Sequence, residues 1–454
     1  MAIQTLNPAT GKVIKTFEEY SSRQVSKIID DVQESFYPWK NMSFAERSAL
    51  MKNAAMLLRN KKNKYGELLT QEMGKPISQA IAEVEKCAWV CEYYAENARN
   101  LLSEEIIKTD ASQSYVRFEP LGIVLAVMPW NFPFWQVFRF AAPALMAGNV
   151  ALLKHASNVP SCALAIENIF QEAGFPKNIF RTLLIGSSPV EEVITNTKIK
   201  AVTLTGSEPA GKIVAEACGK LLKKTVMELG GSDPFIVLDD ANIDLAVRTA
   251  VTARNLNNGQ SCIAAKRFIV TEKIYGEFEK KFIVLMKNVT VGDPMNSDTD
   301  VGPIAREDLL NELEAQIQLS VQKGALVVCG GKRIKREGYF LEPTILSNVL
   351  PGMPAYEEEL FGPVASLIKA KDEDDALRIA NDSRYGLGAS LWTNDVEHAK
   401  ELANVIESGS LFINGMVKSD PRLPFGGIKN SGYGRELSHY GIKEFMNIKT
   451  VWIK

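Results

Sequence analysis

Apolar runs alternate with helical stretches beyond residue 120, and this rhythm constrains the fold more than any other feature. The runs cover 123–128, 150–153, 182–185 and 201–204, and helices are expected over about 136–147, 159–173, 189–196 and 208–222. Apolar strands separated by helices predict a parallel sheet covered on both faces. A second series starts at 235–238 and ends near 409–414, which predicts a second α/β domain.

The rest of the chain predicts simpler elements. Residues 1–20 are expected to be extended, and the apolar spacing over 25–36 predicts a helix that ends at Pro38. Ser43 and Glu46 have the spacing of a capping box that opens a second helix. A third helix is expected over about 75–102, and a strand over 114–119. The β-prone tail, 440–454, is either an edge strand of its own chain or a strand donated to a partner.

Composition excludes several classes of function. The chain has 454 residues, of which 46% are hydrophobic and 23% charged, as in a soluble protein of two or three domains. A net charge of −2 gives no reason to expect nucleic acid or acidic lipid as a partner. The most apolar region, 121–153, is interrupted by prolines, so no membrane span is expected, and no signal peptide is visible at the N-terminus. Six cysteines without paired spacing favour a reducing, cytoplasmic compartment, and three scattered histidines argue against a metal site.

Cys262 is the candidate nucleophile. It follows a short polar turn, 255–261, which would present a thiol while the backbone stays anchored. Glu228 ends an apolar run 34 residues upstream (262 − 228), and a nucleophile and a base on separate chain returns suit covalent catalysis. The alternative for Glu228 is a solvated carboxylate at a strand end. A buried structural role is expected instead for Cys87, Cys162, Cys218 and Cys329.

Polar segments follow the predicted strands at the sheet edge where such folds bind ligands. The segment 205–211 is a strand end, a small-residue turn and a helix start, an arrangement that favours a phosphate. A tight turn with Ser207 as the helix cap explains the same residues equally well. Asn131, beside two prolines, has a similar alternative as a turn residue.

Six blocks in order along nearly the whole chain resemble the aldehyde dehydrogenase superfamily. They are Pro-Trp-Asn-Phe-Pro at 129–133, Thr-Gly-Ser at 205–207, Glu-Leu-Gly-Gly at 228–231, Gly-Gln-Ser-Cys at 259–262, Glu-Leu-Phe-Gly-Pro at 359–363 and Pro-Phe-Gly-Gly-Ile-Lys-Asn-Ser-Gly at 424–432. Lys-Arg-Phe at 266–268 and Gly-Arg-Glu-Leu-Ser-His-Tyr-Gly at 434–441 resemble the short succinate-semialdehyde dehydrogenases of bacteria and archaea.

The resemblance implies a mechanism. Cys262 attacks the aldehyde, and Asn131 with the Cys262 N–H stabilises the oxyanion. Hydride transfer to the nicotinamide leaves a thioester, and water activated by Glu228 releases the acid. The implied cofactor contacts are Lys154 to the adenosine ribose, Ser207 to the pyrophosphate, and Glu359 and Phe361 to the nicotinamide ribose. The predicted cofactor set also includes Trp130, Ser157, Gly186, Gly206 and Leu229.

Ser157 departs from the pattern of NAD-selective members, which carry a glutamate three residues after the lysine. Without a carboxylate to repel a 2′-phosphate, and with Lys154 to attract one, NADP is expected to be preferred and NAD accepted.

Arg139 is the candidate anchor for a substrate carboxylate, with Ser419 and Phe425 as further substrate residues. A buried arginine is rarely unpaired, so a salt bridge to a protein carboxylate is an equal alternative. Some enzymes of this specificity carry a second arginine six residues before the cysteine, where this chain has Leu256; Arg422 or Ser419 would compensate.

The implied fold has a Rossmann-like NAD(P) domain (1–107 and 121–229), an α/β catalytic domain (230–415) and a small β oligomerisation element (108–120 and 433–454). Residues 416–432 return to the active site, and a homodimer or homotetramer is expected. The predicted activity is oxidation of succinate semialdehyde to succinate. Alternatives are a glyceraldehyde or broad aliphatic aldehyde as substrate, a cysteine hydrolase using His155, His398 or His439, and a non-catalytic relative.

Overall fold

The computed structural model describes residues 2–454 as a mixed α/β protein. Its helices are α1 (Ser22–Asn41), α2 (Phe44–Asn60), α3 (Lys62–Met73), α4 (Ile77–Leu101), α5 (Trp135–Met146), α6 (Pro160–Glu172), α7 (Val190–Thr195), α8 (Glu208–Gly219), α9 (Ile243–Asn255), α10 (Glu272–Lys287), α11 (Glu307–Gln322), α12 (Pro354–Glu357), α13 (Glu373–Asn381), α14 (Val396–Leu402) and α15 (Ser438–Lys443). A 3-10 helix, Leu256–Gly259, follows α9.

The strands form three larger sheets and two small pairs. They are β1 (Ala2–Asn7), β2 (Lys12–Glu18), β3 (Glu105–Ile106), β4 (Gln113–Pro120), β5 (Ile123–Met128), β6 (Val150–His155), β7 (Phe180–Thr182), β8 (Ile199–Thr205), β9 (Lys224–Glu228), β10 (Pro234–Val237), β11 (Arg267–Thr271), β12 (Leu326–Cys329), β13 (Thr344–Ser347), β14 (Val364–Ala370), β15 (Tyr385–Gly386), β16 (Gly388–Trp392), β17 (Ser410–Ile413), β18 (Ile428–Lys429), β19 (Gly432–Tyr433) and β20 (Met446–Ile453).

The first large sheet has six strands in the order β19-β9-β8-β5-β6-β7, and all are parallel except β19. The apolar runs predicted as strands form β5, β6 and β8. Helices α1, α5, α6 and α8 pack against this sheet, so its strands are buried on both faces. The register Thr205↔Glu228 brings the carboxyl ends of β8 and β9 side by side, where a ligand site was expected.

The second large sheet has seven strands in the order β12-β13-β14-β11-β10-β16-β17, with only the edge strand β12 antiparallel. Consecutive residues of β10, a central strand of this sheet, pack into two different hydrophobic cores. Phe235 packs in the core that includes residues of α9 and α10, whereas Ile236 packs with residues of α11, α13 and α14. Alternation along a strand therefore explains why every residue of β10 is buried.

The third sheet joins the tail to the middle of the chain in the order β20-β4-β3. Strand β20 pairs antiparallel with β4 from Met446↔Pro120 to Ile453↔Gln113. The tail is thus an edge strand of its own chain, the first of the two predicted alternatives. Trp452 and Ile448 on β20 are exposed.

Two sequence expectations about the helices were wrong. Helix α1 does not end at Pro38 but continues to Asn41, because Trp39 in the last turn is buried and its indole N–H donates to Leu145 O at 3.2 Å. Helix α3 lies over 62–73, where no separate helix was predicted, and Gly66 lies within it. A side chain at Gly66 would approach Ile81 at 2.8 Å, so this glycine permits the close packing of α3 on α4.

Most other boundaries agree with the expectations to within a few residues. The Ser43 capping box is present, with Glu46 N donating to Ser43 Oγ and Ser43 N to the Glu46 carboxylate. The extended start appears as the β1-β2 hairpin, although Met1 lies outside the described residues. The run at 182–185 only overlaps the end of β7, which pairs over 180–182.

Candidate active site

The polar turn before Cys262 has a left-handed backbone. Asn257 and Asn258 both have φ of 59°, and Gly259 has φ of 71°. Asparagine tolerates this region better than most residues, and here its side chains fix the turn. Asn258 Nδ2 donates to Gly74 O and Pro303 O, and its Oδ1 accepts from Gly302 N.

Position 259 requires glycine, because there is no space for a side chain. A Cβ there would lie 2.3 Å from the Gly362 carbonyl, a backbone contact that a side chain cannot relieve. The segment 257–259 is therefore held on both sides, by hydrogen bonds and by close packing. The half-buried Cys262 follows it, as the sequence predicted for a presented thiol.

Lys266 holds the backbone around Cys262 through hydrogen bonds to its carbonyl groups. It is 1% exposed, and its ammonium donates to Ser261 O at 3.0 Å, Cys262 O at 2.8 Å and Ala264 O at 3.2 Å. It also forms an ion pair with Glu359 at 3.4 Å. This role was not predicted from the sequence, because no local pattern shows which carbonyl groups a buried lysine contacts.

Asn131 lies beside the cysteine segment. Its Nδ2 donates to Gln260 O at 3.1 Å, and its Oδ1 accepts from Gln136 Nε2 at 3.0 Å. These two contacts fix the amide orientation and leave one Nδ2 proton. Within residues 2–454, the Cys262 N–H donates to no acceptor. The site therefore offers two N–H donors near the thiol, as an oxyanion requires.

Glu83 binds the backbone at the start of α5, close to Asn131 in the chain. Its Oε1 accepts from the backbone N–H groups of Phe134 and Trp135, each at 2.9 Å, at the start of α5. A carboxylate suits the positive end of a helix dipole, and α5 has no capping side chain of its own. Glu83 also forms a buried ion pair with Lys75. Neither residue had been singled out in the sequence.

Glu228 is buried, and its carboxylate oxygens have no hydrogen-bond partner among the described residues. Burial raises its pKa well above the ordinary value, and the nearby Glu436 raises it further. A side chain at Gly426 would lie 2.7 Å from Glu228 Oε1, so the carboxylate lies against that glycine. Glu228 is therefore a buried carboxyl group whose raised pKa favours the protonated form, not a solvated carboxylate.

Arg139 forms a buried ion pair with Glu436. Its Nη2 donates to Thr205 Oγ1 at 3.3 Å, and its guanidinium carbon lies 4.5 Å from the ring centroid of Phe425. The structure thus contains the salt bridge that the sequence analysis weighed as the alternative. A direct role of Arg139 toward substrate stays a prediction.

Cys262 lines two cavities, one of about 700 Å³ and one of about 210 Å³. Burial raises the pKa of its thiol to about 12, opposed by the nearby charges of Arg139 and Lys266. Gln136 also lines both cavities. The nucleophile is therefore reachable from two sides, and the larger space lies within the usual range for a cofactor site.

The larger cavity has the features of a dinucleotide cleft. At the β8 end, Ser207 precedes α8 without capping it through its side chain, so the first N–H groups of the helix remain for a phosphate. Gly211 in the first turns of α8 allows Leu229 to pack closely, since a Cβ there would lie 2.5 Å from that leucine. The predicted cofactor residues that line this cavity are Trp130, Gly206, Ser207, Leu229, Glu359 and Phe361.

Aromatic and acidic groups shape the opposite wall. Phe361 meets Trp130 edge to face, with ring centroids 5.7 Å apart. Glu359 Oε1 accepts a hydrogen bond from Gly231 N at 3.0 Å. This partner distinguishes Glu359 from Glu357 and Glu358, its neighbours in the acidic run. Glu358 instead accepts from Gln316, and Glu357 from Gly352.

Lys154, Ser157 and Gly186 are not among the residues that line this cavity. Lys154 is the second-last residue of β6 and has no ion pair with any described residue, and burial lowers the pKa of its ammonium. Ser157 is exposed just beyond β6, and Gly186 follows β7. Their proposed contacts with a nucleotide stay predictions.

The smaller cavity contains all three predicted substrate residues. Arg139, Ser419 and Phe425 line it together with apolar groups, and it also contains a lysine that the sequence analysis did not consider, Lys86. Arg422 lies outside this lining and pairs with Asp420.

The histidines are occupied elsewhere. His155 is buried between Met128 O and Pro133 O, and burial lowers its pKa to about 4. His398 pairs with Glu373, and His439 stacks on Tyr440. None lines a cavity with Cys262, so the described residues give a cysteine hydrolase no imidazole base.

Residues 2–454 contain no group of three or more His, Cys, Asp or Glu side chains that would hold a metal ion. No helix among them is both long and apolar enough to cross a membrane. All six cysteines are free thiols.

Comparison with known proteins gives full-length matches. The model of the aldehyde dehydrogenase family matches residues 1–451. A probable succinate-semialdehyde dehydrogenase (NADP+) of Synechocystis sp. is 53% identical over 453 residues, covering 100% of both chains. Succinate-semialdehyde dehydrogenase (NADP+) 1 of Mycobacterium tuberculosis is 51% identical over 456 residues, again covering 100% of both. The crystal structure of succinic semialdehyde dehydrogenase from Streptococcus pyogenes with NADP+ superimposes with a TM-score of 0.98 at 39% identity, covering 100% of both chains.

Proposed function

This chain belongs to the aldehyde dehydrogenase family, and we propose that it oxidises succinate semialdehyde to succinate with NADP+ as hydride acceptor. The observation that carries the proposal is the position of Cys262, which lines a cofactor-sized cleft and a small substrate-sized cavity at once. The names of relatives at 51–53% identity support the substrate and the nucleotide.

In the first half of the proposed reaction, the aldehyde lies in the smaller cavity and the thiolate of Cys262 attacks its carbonyl carbon. The new oxyanion accepts hydrogen bonds from the free Asn131 Nδ2 proton and the Cys262 N–H. Lys266 keeps the backbone of the cysteine in place through its carbonyl contacts. When bound, the oxidised nicotinamide accepts the hydride and brings a positive charge to the cleft. A thioester on Cys262 remains.

In the second half, Glu228 activates water that hydrolyses the thioester. Its carboxyl group lies against Gly426, and its raised pKa favours the protonated form, so it acts as a base only after it has lost its proton. The charges of Arg139 and Arg435 favour this loss, whereas burial and the charges of Glu436 and Glu444 oppose it. The hydrolytic step is therefore the one we expect to depend on the charge state of this buried group.

For the nucleotide, Ser207 and the start of α8 are assigned to the pyrophosphate, and Glu359 and Phe361 to the nicotinamide ribose. Lys154 and Ser157 are assigned to the adenosine end. An unpaired lysine and a serine in place of a carboxylate favour the 2′-phosphate of NADP, with NAD as the weaker alternative.

The proposed organisation follows the three large sheets. Five strands of the six-stranded sheet, all except β19, belong to the nucleotide domain (1–107 and 121–229), and the seven-stranded sheet belongs to the catalytic domain (230–415). Strands β4 and β20 of the three-stranded sheet belong to the oligomerisation element (108–120 and 433–454), and exposed Ile448 and Trp452 on β20 support a homodimer or homotetramer. Six free thiols support a reducing, cytoplasmic location.

The test is reduction of NADP+ by the purified chain with succinate semialdehyde, glyceraldehyde and butanal, compared by kcat/KM. A preference for succinate semialdehyde is expected. Equal rates, or a preference for glyceraldehyde, would refute the substrate assignment and retain only the family chemistry.

A further inference from the structure

Lys86 is a half-buried lysine of α4 that faces the smaller cavity. Its Nζ donates to Ser419 Oγ at 2.8 Å and lies 4.3 Å from the ring centroid of Trp135. Within residues 2–454, no carboxylate lies within ion-pair distance of it. Glu83, one turn earlier on the same helix, is already bound to Lys75 and to the start of α5.

The other cations of this cavity differ from Lys86. Lys75 is paired with Glu83, and Arg139 with Glu436. Lys418 is exposed at the rim, where water screens its charge. Lys86 alone among these four combines partial burial with the lack of an acidic partner. A buried charge without a partner is costly, so an anion from outside the chain would complete this arrangement.

We propose that Lys86 and the hydroxyl of Ser419 together bind the distal carboxylate of the semialdehyde and set the substrate specificity. The inference deepens the proposed function and rests on it. Because Lys86 donates to the oxygen of Ser419, the serine proton is directed away from the lysine and is free to donate to a second acceptor. The pair thus presents N–H and O–H donors to one carboxylate, and Trp135 supports the ammonium through its ring face.

The charges around Lys86 make this recognition sensitive to pH. Burial and the positive charge of Arg139 lower its pKa to about 8, whereas Cys87, Glu83 and Asp420 act in the opposite direction. Lys75, which is paired with Glu83, and Lys418 at the rim are the remaining charged groups of the cavity. A bound carboxylate favours the charged form of the lysine. We therefore expect carboxylate recognition to weaken as pH rises through about 8 in the free enzyme.

The experiment compares succinate semialdehyde with butanal, which has a methyl group in place of the carboxylate on the same carbon chain. The readout is the ratio of the two kcat/KM values, in which effects on Cys262 cancel. In Lys86→Met the ratio is expected to fall about 10- to 100-fold, as a hydrogen bond to a charged group contributes about 1.5–3 kcal/mol and 1.4 kcal/mol corresponds to tenfold. In the wild type the ratio is expected to decrease above pH 8.

Two further variants sharpen the test. Lys86→Arg keeps a permanent charge, so it should retain most of the ratio and lose the decrease above pH 8. Lys418→Met, the rim control, should change the ratio by less than about threefold, as expected for a screened surface charge. If the wild type prefers the semialdehyde and Lys86→Met has the same ratio as the wild type, the inference about Lys86 is overturned and the proposed function stands. A wild type without preference overturns the proposed function as well, and it does so before any substitution is made.

Discussion

Replacement of Lys266 by methionine should loosen the catalytic segment, because one buried ammonium holds three of its carbonyl oxygens. Methionine fills a similar volume and donates no hydrogen bond. The change removes bonds of 2.8–3.2 Å to Ser261, Cys262 and Ala264 and leaves Glu359 without its cation. Burial itself lowers the pKa of Lys266, so part of the loss is offset because an unfavourable desolvation also disappears.

The net effect is that of removing one partner from a buried charged network, about 3–5 kcal/mol. If the segment opens locally, its amide protons should exchange about 100- to 4000-fold faster, since each 1.4 kcal/mol corresponds to a factor of ten. Hydrogen–deuterium exchange of the peptide that spans 255–266, followed by mass spectrometry, measures this directly. Local exchange is the better readout here, because unfolding of a chain with several domains need not be two-state.

A matched control is Lys273→Met on α10. That lysine is exposed and lies 3.9 Å from Asp239, so its loss should leave exchange in the segment unchanged. Exchange in Lys266→Met that stays within tenfold of the wild type would refute the reasoning, and it would show that the asparagine contacts and the packing at Gly259 suffice to hold the cysteine.

Four further outcomes are expected. Glu228→Gln keeps the shape of the side chain but cannot accept a proton as a carboxylate does, so it should keep a first-turnover burst of NADPH while steady-state turnover falls about 10²- to 10⁴-fold; loss of the burst would move Glu228 to another step. In the wild type, steady-state turnover should rise with pH as the raised pKa of Glu228 is approached, and a flat pH profile of thioester hydrolysis would contradict this. Ser157→Glu should lower the preference for NADP over NAD at least about tenfold in kcat/KM, a cost of 1.4 kcal/mol for one added like charge, and an unchanged preference would be evidence against the assignment. Alkylation of Cys262 by iodoacetamide without nucleotide should rise about tenfold per pH unit between pH 7 and 9, because its thiol pKa is about 12; a plateau in that range would show a thiolate that is already formed.

The fold was largely predictable because its strongest signals are local. Apolar runs gave β5, β6 and β8, and the Ser43–Glu46 spacing gave the start of α2. The two errors concern residues whose effect depends on distant partners. Pro38 disfavours a helix locally, yet the burial of Trp39 continues α1, and Gly66 interrupts a helical pattern that packing on α4 restores.

For the site, motifs predicted which residues meet but not how their charges pair. Cys262 and Asn131 were expected to be neighbours, and the Asn131 amide does donate to the cysteine segment at Gln260. The ion pair of Arg139 with Glu436 and the bond from Lys86 to Ser419 join residues from opposite ends of the chain. Sequence periodicity carries no information about such long-range contacts, so a lysine on an amphipathic helix is indistinguishable from a solvated one.

The distribution of positive charge around Cys262 links recognition to chemistry. Arg139 is paired with Glu436, and its charge lowers the pKa of the nearby Glu228. Lys266 is paired with Glu359 and binds the carbonyl groups of the nucleophile segment. Lys86 has no such partner and faces the cavity. A substrate carboxylate that bound to Arg139 would have to compete with Glu436 and would withdraw the charge that favours ionisation of Glu228. Binding at Lys86 leaves that charge in place, so the same arrangement can hold a negatively charged substrate and still let Glu228 lose its proton for the hydrolytic step.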